Sequence, residues 1–304
     1  MMKLFFDNFD LNSNSGPNSF GRQLLFELKR KGHQIDFQNP EIQLSFIQIA
    51  QKNAPKIIQR CDGIYHNSAG NYLLQNQPIQ QSYNIADGVI IQSQFDKKLI
   101  NSFFGERKKC FIINNGTDLN YINSIPSIQN KMLDKYETIW TSASMWAGRG
   151  HKRLNENIRF FLEHSSKKDC LIVMGEASEA DVVENERIIF TGTIPWANMI
   201  SIFKRAKYMI HTAFLDHCPN VVIDARACGC HIICSNSGGT PEIAGYQATI
   251  IEDAPYDFTP IDLYSPPPLD FSRKSVIDKP MDNSDIDIKN VAEKYIQVFK
   301  RILK

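Results

Sequence analysis

The sequence of 304 residues lacks an excess of charge of either sign and lacks long apolar runs. Lys and Arg number 34 against 33 Asp and Glu, a formal net charge of +1, so no overall field favours nucleic acid or an anionic membrane. No apolar run reaches the roughly 18–20 residues of a membrane-spanning helix, and the segment Met1–Asp7 is too short and too polar for a signal peptide. We therefore expect a cytoplasmic globular protein, and peripheral membrane contact stays open.

A disulfide framework and a zinc motif are also missing. The chain has seven cysteines, an odd number, and we expect no export signal. Both observations favour reduced thiols over disulfides. Residues 228–234 have the spacing C-x-C-x3-C, but no second ligand pair of the usual zinc form accompanies them. A helix end, a glycine and a buried strand explain this run better, because Cys behaves there as a small hydrophobic residue. We expect no metal site.

Strands and helices alternate along the chain. Lys3–Asp7 is predicted as a strand, residues 20–28 carry apolar side chains at helical spacing, Gly32 ends that helix, and Gln34–Phe37 follows as a strand. Such a βαβ unit implies a parallel sheet. Further strands are predicted at 56–59, 88–92, 110–114, 138–142, 170–174, 187–190, 208–211 and 231–234, and further helices at 95–104, 154–164, 196–205, 220–227 and from about 287 to the end.

The alternation restarts with the strand predicted at 138–142. This predicts two doubly wound, Rossmann-like α/β domains, 1–130 and 131–285, facing each other across a cleft. Residues 119–136 are interpreted as a linker, and 252–287, rich in proline and acids, as loop. The final helix, 286–304, has an apolar stripe that needs a partner surface. In doubly wound sheets, ligands bind beyond the carboxyl ends of the strands, but the pattern alone does not choose a chemistry.

The stretch 214–229 holds two carboxylates, Asp216 and Asp224, eight positions apart. The first precedes a loop, and the second lies inside a helix predicted to begin at Asn220. A helix start presents backbone N–H groups to anions and hydroxyls, so both acids could meet polar groups of one ligand. The alternative is a helix-capping region followed by a surface acid.

This stretch and the following Ser235–Ile243, with its Gly-Gly-x-x-Glu, resemble the retaining glycosyltransferases of family 4, which have the GT-B fold. Weaker landmarks are the loop and helix at Gly16 and the segments 86–93 and 113–118. The resemblance covers most of residues 3–250. It implies an acceptor-side domain 1–130, a nucleotide-sugar domain 131–285 and a final helix that packs back on the first domain.

Carried over position by position, the resemblance places Asp216 beside the donor sugar and Asp224 at the ribose of the nucleotide. Both positions are usually Glu in the family, so each carboxylate here is one methylene shorter. The backbone between and around these acids is expected to approach the sugar and diphosphate, at His217, Cys218, Asn220 and Val221.

Positive charge for the diphosphate is expected from Lys152, which matches the family's Lys. The family's Arg position falls near Trp146, so Arg149 would supply that charge from a neighbouring site. Bases at a helix start oppose the helix dipole, and a bound anion would explain them; solvated surface bases are the alternative. Gly16 is a candidate for close backbone approach to phosphate, although the G-x-G-x-x-G fingerprint is absent.

Family members commonly carry a His after the strand at 56–59, and this His touches the donor sugar. By its place at the strand end, Asp62 corresponds to it; by residue type, His66 does. We keep both as catalytic candidates. An ion pair between Arg60 and Asp62 is the structural alternative.

The resemblance implies a retaining hexosyltransferase that moves a sugar from a nucleoside diphosphate sugar to a hydroxyl of a glycan, lipid or other acceptor. The family's front-face mechanism needs no general base, because the leaving phosphate can take the acceptor's proton. No cofactor is expected besides the co-substrate. Two alternatives stay open: a nucleotide-sugar epimerase on the same fold, and a non-catalytic nucleotide-sugar-binding module, which the shortened acids permit. Turnover of a donor with an acceptor separates them.

Overall fold

The chain contains 13 strands and eight α-helices among residues 1–278 and 282–304, the part that the computed structural model describes. In chain order they are β1 (Lys3–Asp7), α1 (Gly16–Arg30), β2 (Gln34–Ile35), β3 (Ile42–Phe46), β4 (Ile57–Cys61), α2 (Tyr72–Ile85), β5 (Gly88–Ile91), α3 (Gln94–Phe104), β6 (Cys110–Ile112), α4 (Leu119–Ser124), β7 (Thr138–Ala143), α5 (Leu154–His164), β8 (Asp169–Met174), β9 (Ile188–Gly192), α6 (Trp196–Phe203), β10 (Tyr208–His211), α7 (Asn220–Ala227), β11 (His231–Ser235), β12 (Thr249–Ile251), β13 (Lys274–Val276) and α8 (Ile288–Leu303).

These elements form two compact α/β units. The first comprises Met1–Asp118, Asp257–Ile261 and Ser284–Lys304, and the second comprises Leu119–Tyr256 and Asp262–Asn283. None of the helices in the described ranges 1–278 and 282–304 has the length and apolarity to cross a membrane.

The first unit is built on a parallel sheet with the order β2-β1-β3-β4-β5-β6. All of its strand pairs are parallel. The chain adds β2 on one side of β1 and then β3 on the other, so the direction of winding reverses between β1 and β3. The apolar stripe of α8 lies in the core of this unit together with α1, where the rings of Tyr295 and Phe20 are 6.0 Å apart.

The second unit has the sheet order β13-β12-β11-β10-β7-β8-β9. All pairs are parallel except that of β12 with the short edge strand β13. Its core packs Trp140 of β7 and the aromatic face of α5 against the sheet. The winding reverses between β7 and β10, which are direct neighbours.

The predicted fold class, α/β with two doubly wound, Rossmann-like parallel sheets, is confirmed. The chain passes to the second unit after Asp118, and the stretch 119–136, expected to be a linker, contains α4. Tyr121 of α4 stacks on Trp196 with ring centroids 5.1 Å apart, and the Ser201 hydroxyl donates to the Pro126 carbonyl at 2.8 Å. These contacts attach the stretch to the second unit.

Candidate active site at the carboxyl edge of the second sheet

The loops after β7 and β10 leave neighbouring parallel strands at the point where the winding of the second sheet reverses. Such a reversal opens a crevice at the carboxyl edge, and ligands of doubly wound folds bind there. The loop after β7 carries Arg149 and Lys152, and the loop after β10 carries Asp216 and His217. The topology therefore brings together the two segments in which the sequence predicts the site.

Lys152 and Asp216 are in direct contact. The ammonium group of Lys152 donates to Oδ2 of Asp216 at 2.6 Å, and Nε2 of His211 lies 2.9 Å from the same oxygen. The other carboxylate oxygen accepts the backbone N–H of His217 at 3.0 Å. His211, the last residue of β10, was not predicted from the sequence.

The ion pair is largely shielded from solvent, with 13% of the Lys152 side chain and 10% of the Asp216 side chain exposed. Burial by itself raises the pKa of Asp216, but the Lys152 charge and the His211 hydrogen bond outweigh it, and this pKa lies well below its ordinary value. Burial lowers the pKa of His211, so the neutral ring presents its Nε2 proton to the carboxylate. Asp216 is therefore an ionised, weakly basic group that accepts hydrogen bonds rather than protons.

The loop after β11 fixes the backbone of Asp216. Leu215 has a φ of 55°, and its N–H donates to the Ser237 hydroxyl at 2.9 Å. The N–H of Gly239 donates to the Asp216 carbonyl at 2.7 Å. A Cβ at Gly238, where φ is +77°, would lie 2.3 Å from that carbonyl oxygen. Only glycine fits at this position, which gives a physical reason for the Gly-Gly of the predicted motif.

Asp224 lies one turn inside α7 and is 4% exposed. The indole N–H of Trp196 donates to its Oδ2 at 2.8 Å. Asn220 begins α7 and, like Val221 and His217, is half-buried, whereas Cys218 is buried. The first N–H groups of α7 thus follow directly on the loop that holds Asp216.

Arg149 is exposed and lines a cavity of about 560 Å³ in the second unit, next to the segment Tyr264–Pro267. The two walls of this cavity, the loop at Gly150 and the segment at Tyr264, approach each other closely, since a Cβ at Gly150 would lie 2.5 Å from the Tyr264 carbonyl oxygen. Arg149 therefore lies three residues before Lys152 in the same loop but on a cavity wall, whereas Lys152 engages Asp216.

A second buried ion pair, which the sequence analysis missed, fixes this loop. The guanidinium group of Arg153 binds both carboxylate oxygens of Asp253 at 2.5 and 3.1 Å. It also donates to the carbonyls of Thr212 at 3.2 Å and Pro267 at 2.7 Å. Arg153 thereby joins the start of the loop after β10 to the segment that forms the cavity wall.

His151, which precedes Lys152 in the chain, gives a pH-dependent prediction. Burial, reinforced by the charge of Lys152, lowers its pKa to about 4. Between its ordinary pKa of about 6.5 and pH 4, the unfolded chain binds a proton that the folded chain excludes, so stability falls as the pH falls through this window. His151→Gln should flatten the fall in unfolding free energy between pH 6 and 4.5 by up to about 1.4 kcal/mol per pH unit. Urea unfolding at several pH values measures it, and equal slopes in both proteins would contradict it.

The first unit carries the other predicted site residues. Gly16 is exposed and begins α1, after the loop that follows β1 at the winding reversal of that sheet. Asp62 follows β4 and accepts hydrogen bonds from Arg60 and Gln92. The Arg60–Asp62 ion pair, which the sequence offered as the alternative to a catalytic role for Asp62, is therefore present. His66 is 1% exposed, with Nδ1 3.2 Å from the Ile64 carbonyl oxygen.

The cysteine run 228–234 spans the end of α7, Gly229 with a φ of +88°, and β11. Cys230 and Cys234 are buried. Among residues 1–278 and 282–304, no three or more His, Cys, Asp or Glu side chains are grouped so that they could hold a metal ion.

Comparison with known proteins adds a family match that lies in the second unit except for its last three residues. Residues 138–259 match the family model described as Glycosyl transferases group 1, and this range contains Lys152, Asp216 and Asp224. None of the curated proteins matches the chain.

Several solved structures share the fold. HepE of Anabaena, solved with UDP-glucose, is 12% identical with a TM-score of 0.67, covering 99% of this chain and 100% of its own. Sucrose-phosphate synthase of Thermosynechococcus elongatus is 13% identical with a TM-score of 0.67 and 99% coverage of both chains. AviGT4, a glycosyltransferase of avilamycin A biosynthesis, is 12% identical with a TM-score of 0.60, covering 100% of this chain and 98% of its own. The fold is that of GT-B glycosyltransferases, and together with the family match it supports a glycosyltransferase.

Proposed function

We propose that this protein is a retaining hexosyltransferase that moves a sugar from a nucleoside diphosphate sugar to an acceptor hydroxyl without a metal ion. The observation that carries the proposal is the shielded Lys152–Asp216 pair at the winding reversal of the second sheet, inside the segment that matches Glycosyl transferases group 1. Because HepE was solved with UDP-glucose and with UDP, a UDP-sugar is the first donor to test.

Lys152 is the proposed partner of the diphosphate. In the free protein the Lys152 ammonium group pairs with Asp216, and both side chains are largely shielded from solvent. A phosphate oxygen would add a second anionic partner at this place. A fixed cation there stabilises the charge that builds on the departing nucleoside diphosphate. Arg149 is proposed to add positive charge from its place in the same loop. With two cations in these roles, the leaving group needs no divalent metal.

Asp216 is proposed to hold a hydroxyl of the donor sugar. Its pKa lies well below the ordinary value, where the Lys152 charge and the His211 hydrogen bond overcome the effect of burial, so it is a poor proton acceptor. The engagement of both of its oxygens by Lys152, His211 and the N–H of His217 also makes it a poor nucleophile. These properties favour transfer on the face of the leaving phosphate, which takes the acceptor's proton, and hence retention.

Asp224 and the backbone of residues 217–221 are proposed to hold the ribose and the diphosphate. The indole N–H of Trp196 orients the Asp224 carboxylate through its hydrogen bond to Oδ2. Gly16 is proposed as a phosphate contact from the first unit, and Asp62 and His66 as candidates for a contact to the sugar.

Removal of the Lys152 charge tests the proposal. Lys152→Ala should weaken binding of both UDP and UDP-glucose by about ten- to hundredfold, because a charge-assisted hydrogen bond of roughly 1.5–3 kcal/mol is lost. Arg149→Ala should weaken both in the same direction if Arg149 shares the diphosphate. Titration calorimetry with each nucleotide is the measurement.

Lys168→Ala is the matched control, since Lys168 precedes β8 at the opposite edge of the same sheet and pairs with the exposed Glu137. It should leave both affinities unchanged. If Lys152→Ala binds UDP as tightly as the wild type, the site is placed wrongly.

Analysis of the products separates the alternative functions, because an epimerase yields an altered nucleotide sugar and a binding module yields no product.

A further inference from the structure

The cavity of about 560 Å³ in the second unit has no part in the proposed roles at the diphosphate and the donor sugar, apart from Arg149 on its wall. Its walls are the loop after β7, the first turn of α5, Asp181 and the segment Tyr264–Pro267, all of the second unit. Neither Lys152 nor Asp216 lines it. Its volume falls within the roughly 300–1,000 Å³ of small-molecule sites, so the cavity is a second space for a ligand.

One wall of the cavity presents hydrogen-bond donors. Helix α5 begins at Leu154 without a side-chain cap, so the N–H groups of its first turn, which lies on this wall, have no partner within the helix. The Nε–H group of Arg153, another wall residue, is buried and meets no acceptor among residues 1–278 and 282–304. A buried donor without an acceptor is unfavourable. This wall therefore favours a ligand with acceptor oxygens.

The same cavity also offers acceptors. The carboxylates of Glu156 and Asp181 belong to its lining. One oxygen of Glu156 binds Arg159 at 2.5 Å, and one oxygen of Asp181 accepts the Ser178 hydroxyl at 2.5 Å. Each carboxylate has a second oxygen that these contacts do not use. Donors and acceptors side by side fit hydroxyl groups, because a hydroxyl donates one hydrogen bond and accepts others.

The formal charges on the walls balance. Two bases, Arg149 and Arg153, line the cavity together with two acids, Glu156 and Asp181. An anionic ligand would lie close to the acids and a cationic one close to the bases, and like charges at short distance repel. A neutral ligand with several hydroxyl groups avoids both repulsions.

The segment 264–267 supplies an apolar surface. Tyr264 borders the cavity and is 53% exposed, and Pro266 and Pro267 follow it in the lining. A sugar ring carries C–H groups on one face, which pack on an aromatic ring, while its hydroxyls point to the sides. An exposed aromatic ring opposite polar walls is therefore suited to a sugar.

We infer that this cavity binds a neutral sugar unit of the acceptor, and hence that the acceptor is a glycan. The inference rests on the proposed function and deepens it, because that function leaves the acceptor open between a glycan, a lipid and other hydroxyl compounds. The donor sugar is assigned to Asp216, which does not line the cavity. The sugar in the cavity is therefore a unit of the acceptor.

Saturation-transfer NMR with maltose, cellobiose and lactose tests this binding directly. With UDP present, the wild type should give a signal with at least one of the three. Asn155→Trp should lose it, because the exposed Asn155 lines the cavity from the first turn of α5 and an indole there fills part of the space. Tyr264→Ala should weaken the affinity about two- to tenfold, since the aromatic surface is lost. No signal from any of the three, or equal signals in all three proteins, would overturn the inference.

Tyr246→Ala is the matched control for the loss of an exposed aromatic ring. Tyr246 belongs to the same unit, is 46% exposed and does not line the cavity, so this variant should bind the disaccharide like the wild type. Glucose 6-phosphate tests the charge argument. If it binds in the cavity and none of the neutral disaccharides does, the site takes an anion and the inference is wrong.

Initial rates then distinguish the acceptor from the donor as the source of the sugar. With the disaccharide that binds as the acceptor, Asn155→Trp should raise its KM more than about tenfold. An equal loss in hydrolysis of the donor without acceptor would place the donor sugar in the cavity and overturn the assignment to the acceptor. Failure of the proposed function gives a different pattern, in which the wild type consumes no donor; the NMR signals of the disaccharides then decide the sugar site by themselves.

Discussion

Asp216→Asn is expected to slow sugar transfer about ten- to hundredfold and to leave the UDP dissociation constant nearly unchanged. The amide keeps one acceptor oxygen for Lys152 and His211 but loses the second acceptor and the charge. A donor-sugar hydroxyl then lacks its partner when the bond to the phosphate breaks, and the effect falls on kcat. Initial rates with UDP-sugars and calorimetry with UDP measure the two quantities separately.

Asp134→Asn provides the comparison for this variant. Asp134 belongs to the same unit, is 59% exposed and pairs with Arg205 at 2.7 Å, so its variant should match the wild type in both measurements. If Asp216→Asn transfers sugar at the wild-type rate, the carboxylate serves only to order the loop before α7, and the proposed role at the sugar is wrong.

Arg153→Ala is expected to give the largest loss of stability in the second unit, about 3–5 kcal/mol in unfolding free energy. The side chains of Arg153 and Asp253 are 1% and 0% exposed, so truncation of the Arg leaves a buried carboxylate without its counter-charge. Two backbone carbonyls, those of Thr212 and Pro267, lose a donor in addition. Urea unfolding with circular dichroism is the measurement.

Arg273→Ala is the matched control, because Arg273 pairs with Glu252, next to Asp253 in the chain, and is 64% exposed. Exposed pairs of this kind contribute roughly 0–1 kcal/mol. The double variant Arg153→Met with Asp253→Leu removes both buried charges and should be more stable than Arg153→Ala. An Arg153→Ala variant as stable as Arg273→Ala would contradict this account of the loop.

Local patterns predicted the elements with a strong apolar period or clear end signals. The helix at 154–164 and the strands at 3–7 and 208–211 agree with the structure at both ends. In these segments one face meets the core, so the period of apolar residues follows the period of the element. Asp287 caps α8 by accepting the N–H of Lys289 at 3.0 Å, as expected for a helix start.

Two elements of the first unit lack such patterns. In β3 the polar residues Gln43 and Ser45 alternate with apolar ones but are fully buried, because Gln43 donates to Asp7 at 3.1 Å and to Ser45 at 2.8 Å. A strand covered on both faces with such a network does not read as a continuous apolar run. Helix α2 contains Pro78 within a stretch rich in Gln and Asn, a composition typical of loops.

The residues of the candidate site also fall into two groups, those that the sequence predicted and those that it did not. Asp216 and Asp224 lie in one local motif, and Lys152 lies in the glycine-bearing loop after β7, so each residue was visible within its own segment of the sequence. Arg153 and Asp253, by contrast, are 100 residues apart, and a single sequence carries no signal for a pairing between distant segments.

The most direct test of the central claim is proton NMR of the anomeric signals during incubation of the wild-type protein with UDP-glucose and related nucleotide sugars, with water as the default acceptor. The account predicts that a donor is consumed, that nucleoside diphosphate is released, and that the sugar first appears with the anomeric configuration of the donor, before mutarotation. It further predicts that Lys168→Ala matches the wild type and that Lys152→Ala is much slower. Product of inverted configuration, or no consumption of any donor that the protein binds, would contradict it.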